Sequence, residues 1–131
     1  MVVTTDLTGG CDEAVSFACH LAEEGGGSVV VVVVLSGRLV DGVLAAGERG
    51  RVRRQREDEA EVAAREQVVR VGASIPAHVV SLFGDVASDT LLVAHNLAAD
   101  AVVVGAGHPA TAEIIRAAEI PVIVVPNRRS I

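Results

Sequence analysis

Six consecutive valines followed by a leucine, in the run SVVVVVVL from Ser28 to Leu35, leave this chain few folds to choose from. The run is too short and too β-branched to favour a helix, so it reads as a strand. It has no polar alternation, and a strand without alternation is buried on both faces, as in a parallel sheet covered by helices. Shorter runs of the same kind recur at Val2 to Thr5, His78 to Phe83, Ala101 to Val104 and Val122 to Val125. Half of the residues are hydrophobic but only 2% are aromatic, which makes the expected core aliphatic.

Helix signals fill the gaps between these strands. After the turn Asp6-Leu-Thr-Gly-Gly, a helix is expected from about Cys11 to Glu24, with acidic Asp12 and Glu13 in its first turn and an apolar stripe of Ala14, Val15, Ala18, Leu21 and Ala22. The glycines at 25 to 27 stop it. From Gly37 to Gly50 the sequence reads as a loop with a turn of helix near Val40 to Ala46, and mobility is expected from Gly37 to about Arg54 because little apolar surface is available there. A long helix follows from about Arg51 to Val71, with Glu61–Arg65 and Glu66–Arg70 at i,i+4. Asp85 caps a helix running to Ala98, whose candidate inward positions are Val86, Thr90, Leu91, Val93 and Leu97. Pro109, at a first helical position, opens a short helix to about Ala118, and Pro121 starts the last strand. Five strands alternating with four helices predict a three-layer α/β/α sandwich with right-handed crossovers, in one domain of 131 residues.

Charge and motif content narrow the function classes. A net charge of −6 argues against a nucleic-acid surface, and no apolar run approaches membrane length. The N-terminus lacks a signal-type stretch, and Cys11 and Cys19 are too far apart on one helix to bridge, so reduced thiols and a cytoplasmic location are expected. The five arginines between Arg49 and Arg56 are followed directly by Glu57, Asp58, Glu59 and Glu61, the pattern of a solvated, self-paired helix face. His20, His78, His95 and His108 have no metal-ligand spacing, and no nucleophile elbow or triad is present, so neither a metal nor an enzyme activity is expected. The placing of Cys11 at a helix N-terminus would lower its thiol pKa.

Several pieces, in this order, resemble the universal stress protein family over nearly the whole chain. They are the strand end Thr4-Thr5-Asp6 with Thr8 close behind, the helix end LAEEGGG, the valine strand, the block FGDVASDTLLVAHNLAADAVVVG, and the closing IPVIVVP. The resemblance implies a stress-response protein with five parallel strands in the order 3-2-1-4-5, and a crevice between the first and fourth strands as in adenine nucleotide α-hydrolase-like folds. It implies a nucleotide crevice of Thr5, Asp6, Val34, Val104, Gly105 and Gly107. Nucleotide-binding members hold phosphates with a G-x2-G-x9-G-[ST] loop. With Gly105 as its first glycine, that pattern falls here on His108, Ala118 and Glu119, so the phosphate loop is absent. Asp6 then reads better as a cap of its own turn, and Gly105 to Pro109 as a tight strand-to-helix turn, than as ligand groups.

The expected function is therefore a small homodimeric regulatory or protein-interaction module that does not bind ATP and has a protein partner of unstated identity. No cofactor is expected. The alternative is a sensor of AMP or ADP at the Asp6/Gly105 crevice, with weak nucleotide hydrolysis as a third reading. The dimer is expected through the last strand, Pro121, Val122, Ile123, Val124 and Val125, whose apolar edge carries no lysine and no bulge signal.

Overall fold

The computed structural model describes residues 1–35, 46–73 and 77–126. Strands β1 (Val2–Thr4), β2 (Val29–Leu35), β3 (Ala77–Phe83), β4 (Val102–Gly105) and β5 (Val122–Val125) form one sheet in the order β3-β2-β1-β4-β5. Every neighbouring pair is parallel, with Val3 beside Val31 on one side and Val103 on the other. Helices α1 (Asp12–Gly25), α2 (Ala46–Arg70), α3 (Val86–Asn96) and α4 (Thr111–Ala117) supply the crossovers, and a single 3-10 turn at Gly9–Cys11 leads into α1. The sequence-based fold class and strand order are those observed.

Burial on both faces is the physical reason for the valine runs. Val3, Val29, Val31, Val33 and Val103 pack against Ala14, Ala18, Ala22, Ala60 and Ala64 of α1 and α2. Their neighbours Val2, Val32, Val102 and Val104 point the other way, onto Ala87, Ala94 and Ile114 of α3 and α4. Branched residues on the strands meet small ones on the helices, which lets the layers approach closely without aromatic filling.

Local signals decide where the helices end. Gly26 takes a left-handed φ of 69° beyond α1, and the N–H of Gly27 reaches the Ala22 carbonyl at 2.9 Å, closing the helix. Asp85 caps α3 by accepting the Ser88 N–H at 3.0 Å, and Asp89 reaches back to the Asp85 N–H at 2.9 Å.

Several boundaries and faces differ from expectation. On α1 the buried stripe takes Cys19 rather than Leu21, which stays exposed. On α3 the small residues Ala87 and Ala94 accompany Thr90 inward, Val86, Leu91 and Val93 pack partly, and Leu97 is exposed beyond the helix end. Helix α2 begins at Ala46 instead of Arg51, so residues 46 to 54 of the stretch expected to be mobile are helical. The remainder of that stretch, with nearly all of the helical turn expected at 40 to 46, lies outside the described residues. Arg65 pairs with Glu61 at 2.9 Å as expected, but Arg70 leaves its own helix and meets Asp12 of α1 at 2.7 Å. Pro109 lies in the turn before α4 and not at its first position, because the bonds of that turn make Thr111 the first helical residue.

Candidate functional site

The strand order reverses between β1 and β4, and the crevice at the carboxyl ends of those two strands is where an open α/β sheet receives a ligand. On the β1 side the chain turns sharply after Thr4. Leu7 adopts a φ of 68°, unusual for a residue with a side chain, and its N–H donates to Thr5 Oγ1 at 3.0 Å. The Thr5 hydroxyl in turn donates to Gln67 Oε1 at 2.8 Å. Gln67, only 1% exposed on α2, donates through Nε2 to Asp12 Oδ1 at 2.8 Å and to the Thr8 carbonyl at 3.4 Å. A buried amide from a distant helix thus clamps the turn that carries Asp6.

Asp6 itself is turned toward its own loop. Its Oδ1 accepts the Thr8 N–H at 2.9 Å, the Thr8 hydroxyl at 2.6 Å and the Cys11 thiol at 3.1 Å. Partial burial pushes the Asp6 carboxyl up, but the bonds from Thr8 and Cys11, with His108 nearby, bring it below the usual aspartate value on balance. Cys11 moves opposite to expectation: burial drives its thiol up to about 11, so the helix-terminus effect is overridden and the group is an unreactive donor. Burial also raises Cys19, and both cysteines are free.

On the β4 side the turn from Gly105 to Thr111 is closed on itself. The Gly105 carbonyl accepts the His108 N–H at 3.1 Å and the Thr111 hydroxyl at 2.7 Å. The N–H of Ala106 goes to the Val125 carbonyl at 2.8 Å, that of Thr111 to the His108 carbonyl at 3.2 Å, and that of Ala110 to His108 Nδ1 at 3.0 Å. The imidazole, 7% exposed, therefore accepts through Nδ1 and is neutral with its proton on Nε2. Gly105 lies against the 3-10 turn, where a Cβ would stand 3.4 Å from the Gly10 carbonyl oxygen, at the near limit of ordinary van der Waals contact.

The residues expected at the crevice are only partly brought together. Thr5, Asp6 and Gly105 meet around the 3-10 turn, with His108 acting electrostatically on Asp6. Val104 is wholly buried against α3 and α4, Val34 packs at the margin of the same cluster, and Gly107 sits in an exposed turn with open space around it. Helix α4 carries the chain from the carboxyl end of the sheet back to its amino end, so Ala118 and Glu119 lie at the opposite end from Gly105. Glu119 instead lines a groove with Ser88, Leu91 and His95 of α3. The two residues that organise the site most, Gln67 and His108, carry no motif. Gln67 was traceable only as the continuation of the Ala60, Ala64 spacing of small buried residues on α2.

A model of the universal stress protein family matches residues 1–126. The chain belongs to that family. No curated relative matches the sequence. Among solved structures, the universal stress protein UspA from Lactobacillus plantarum is 15% identical with a TM-score of 0.74, covering 95% of this chain and 95% of that one. The universal stress protein from Archaeoglobus fulgidus in complex with dAMP is 23% identical, TM-score 0.65, with 94% of each chain covered. A universal stress protein in complex with cAMP is 18% identical, TM-score 0.66, covering 96% of this chain and 94% of that one. At these identities the likeness speaks for the fold. Among the described residues of this universal stress protein, no helix is long and apolar enough to cross a membrane, and no cluster of ligating side chains could hold a metal.

The buried His108 gives the family fold here a pH-dependent joint. Burial lowers its pKa below 6.5, partly opposed by Asp6. A group held neutral in the fold contributes stability above its unfolded pKa, and that contribution is lost as pH falls through the lower folded value. The melting temperature is therefore expected to fall as pH is taken from about 7.5 to 5.5, a window centred on ordinary histidine titration. The non-titrating acceptor in His108→Asn is expected to flatten that slope, and equal slopes for the two proteins would remove His108 as the cause.

Proposed function

We propose that this universal stress protein is a non-catalytic, homodimeric regulatory or protein-interaction module that does not take up Mg-ATP. The observation that carries the reading is the closed turn between β4 and β5. The N–H groups of Ala106, His108, Ala110 and Thr111, which a phosphate would need, are all donated within the chain. A single seven-residue helix fills the rest of the connection, which leaves no second glycine turn to cradle a triphosphate. The residues present do not fit ATP. Titration calorimetry with Mg-ATP is expected to give no dissociation constant tighter than about 1 mM, near −4 kcal/mol. A micromolar constant would overturn the reading.

The dimer half of the proposal rests on β5. It is an edge strand, and Val124 is 41% exposed. The bonds Val102 N–H to the Pro121 carbonyl and Ala106 N–H to the Val125 carbonyl, with Val104 beside Val124, turn residues 121, 123 and 125 toward β4. Val122 and Val124 therefore present their N–H and C=O groups outward, ready for a second strand.

A second reading, an AMP- or ADP-sized ligand at the Asp6/Gly105 crevice, is favoured by the nucleoside monophosphates named in the two complexed relatives. A thermal-shift series with AMP, ADP and cAMP separates the two. Saturating ligand raises the melting temperature only if the folded chain binds it, and a shift lost in Asp6→Ala places the ligand at the crevice.

A further inference from the structure

Helix α2 spans 25 residues, and its first half is hardly packed. Ahead of Ala60 no described side chain of α2 is buried, although Arg53 stacks on Phe83 at 5.3 Å on the inner side. Gly47 and Gly50 lie in the same stretch, and each disfavours a helix by about 1 kcal/mol. Most helical stability comes from a packed face, of which this stretch has little within its own chain. Its outward side instead forms a groove of about 680 Å³ along Arg51, Arg54, Asp58 and Val62, with Val62 57% exposed. The charges there are not spent inside the helix. Arg65 meets Glu61 and Gln55 meets Glu59, but among the described residues Arg51, Arg54 and Asp58 have neither a hydrogen bond nor an ion pair.

We propose that this groove is closed by the same stretch of α2 from a second copy, running antiparallel and held by Arg54 and Asp58. The contact goes beyond the function proposed above and does not depend on it. Helix α2 packs over β2 and β3, at the other end of the sheet from β5, so the contact stands whether or not the β5 dimer forms.

The order of charges selects the partner. At 3.6 residues per turn, Arg51, Arg54 and Asp58 fall on one side of the line through Val62, and Gln55, Glu59 and Glu66 fall on the other. In an antiparallel helix pair with a two-fold axis, each side meets the same side of the partner. An axis level with Arg56 therefore sets each Arg54 against the partner's Asp58, giving two ion pairs related by symmetry. The same axis brings Arg51 within one residue of the level of the partner's Val62, where its methylene stem covers the valine. On the other side the uncharged Gln55 lies nearest the axis, so no like charges meet there. A parallel pair would set Arg54 against Arg54 and Asp58 against Asp58, and is disfavoured. One helix laid on another is a small interface held mainly by exposed charge, so the contact is weak and salt-labile.

The test is sedimentation equilibrium of the full chain at about 50 mM and about 0.5 M salt, which spans Debye lengths of roughly 14 and 4 Å. The wild type is expected to double its mass at the lower salt relative to the higher. A β5 dimer rests on backbone bonds and apolar surface and is read at the higher salt, so the two contacts fail separately. Arg54→Glu and Asp58→Arg are each expected to weaken the low-salt step at least tenfold, since each replaces two unlike pairs by two like ones. Mixing these two variants in equal amounts sets the new carboxylate of one chain against the new guanidinium of the other and leaves the native pair beside it. The mixture is therefore expected to associate as the wild type does. Recovery on mixing cannot come from charge effects within one helix or from misfolding. A wild type of equal mass at both salts overturns the proposal, as do single variants that associate like the wild type or a mixture that stays apart.

Discussion

Gln67→Leu is expected to remove about 3 kcal/mol of stability, the largest loss foreseen from a single polar side chain here. The substitution keeps nearly the same volume, so no cavity contributes. What disappears is the amide that joins α2 to the turn after β1. The buried Thr5 hydroxyl loses its acceptor, while Asp12 and the Thr8 carbonyl lose a donor. A neutral bond contributes about 1 kcal/mol net, a bond to a carboxylate somewhat more, and a stranded buried hydroxyl adds its own penalty. The exposed Arg70–Asp12 pair survives, but a half-exposed ion pair offsets little of this. For a chain of this size the melting temperature should drop by roughly 10 °C. Thr5→Val removes the other end of the same bond, and the double variant should cost less than the sum of the two singles. A Gln67→Leu protein within about 1 kcal/mol of wild type would mean that the turn around Asp6 is held by its own local bonds.

How much of this was legible in the sequence depends on the range of the interaction. The strands were, because a β-branched run without alternation has one stable environment, and β2 starts at the first of its valines, Val29, one residue inside the run read from Ser28. The ends of α1 and the cap of α3 were equally plain, since Gly26 and Asp85 act on bonds within a few residues. The inward faces were harder. Alanine packs a helix closer to a sheet than leucine can, so Ala87 and Ala94 went inward while Leu97 did not. The site lay at the far end of this scale. Asp6 was readable as the cap of its own turn because Thr8 is two residues away, whereas Gln67 meets Thr5 across 62 positions. His108 was read as a missing glycine. Its side chain turns out to hold the N–H of Ala110, in place of the phosphate contact that the turn lacks.

Val124→Pro is expected to dissolve the proposed dimer, and the register of the edge strand gives the reason. Val122 and Val124 face outward, and antiparallel pairing that sets each Val122 opposite the partner's Val124 places the two-fold axis at Ile123. Each such pair exchanges two bonds, about four in all. A pairing shifted to set Val124 against Val124 would bring Val122 opposite Pro126, which has no N–H to give, so the flanking proline selects the first register. Proline at 124 removes half the donors from this ladder and puts a ring where the partner backbone must approach. The loss should reach about 3 kcal/mol, on the order of a hundredfold in the dissociation constant. The inward bonds of β5 to β4 use residues 121, 123 and 125, so the fold itself loses no ladder donor at this position. Val124→Ile, which keeps the N–H and the apolar edge, should remain dimeric. Sedimentation of the two variants against wild type decides the matter: a Val124→Pro protein that is folded by circular dichroism and still dimeric places the interface elsewhere on the molecule.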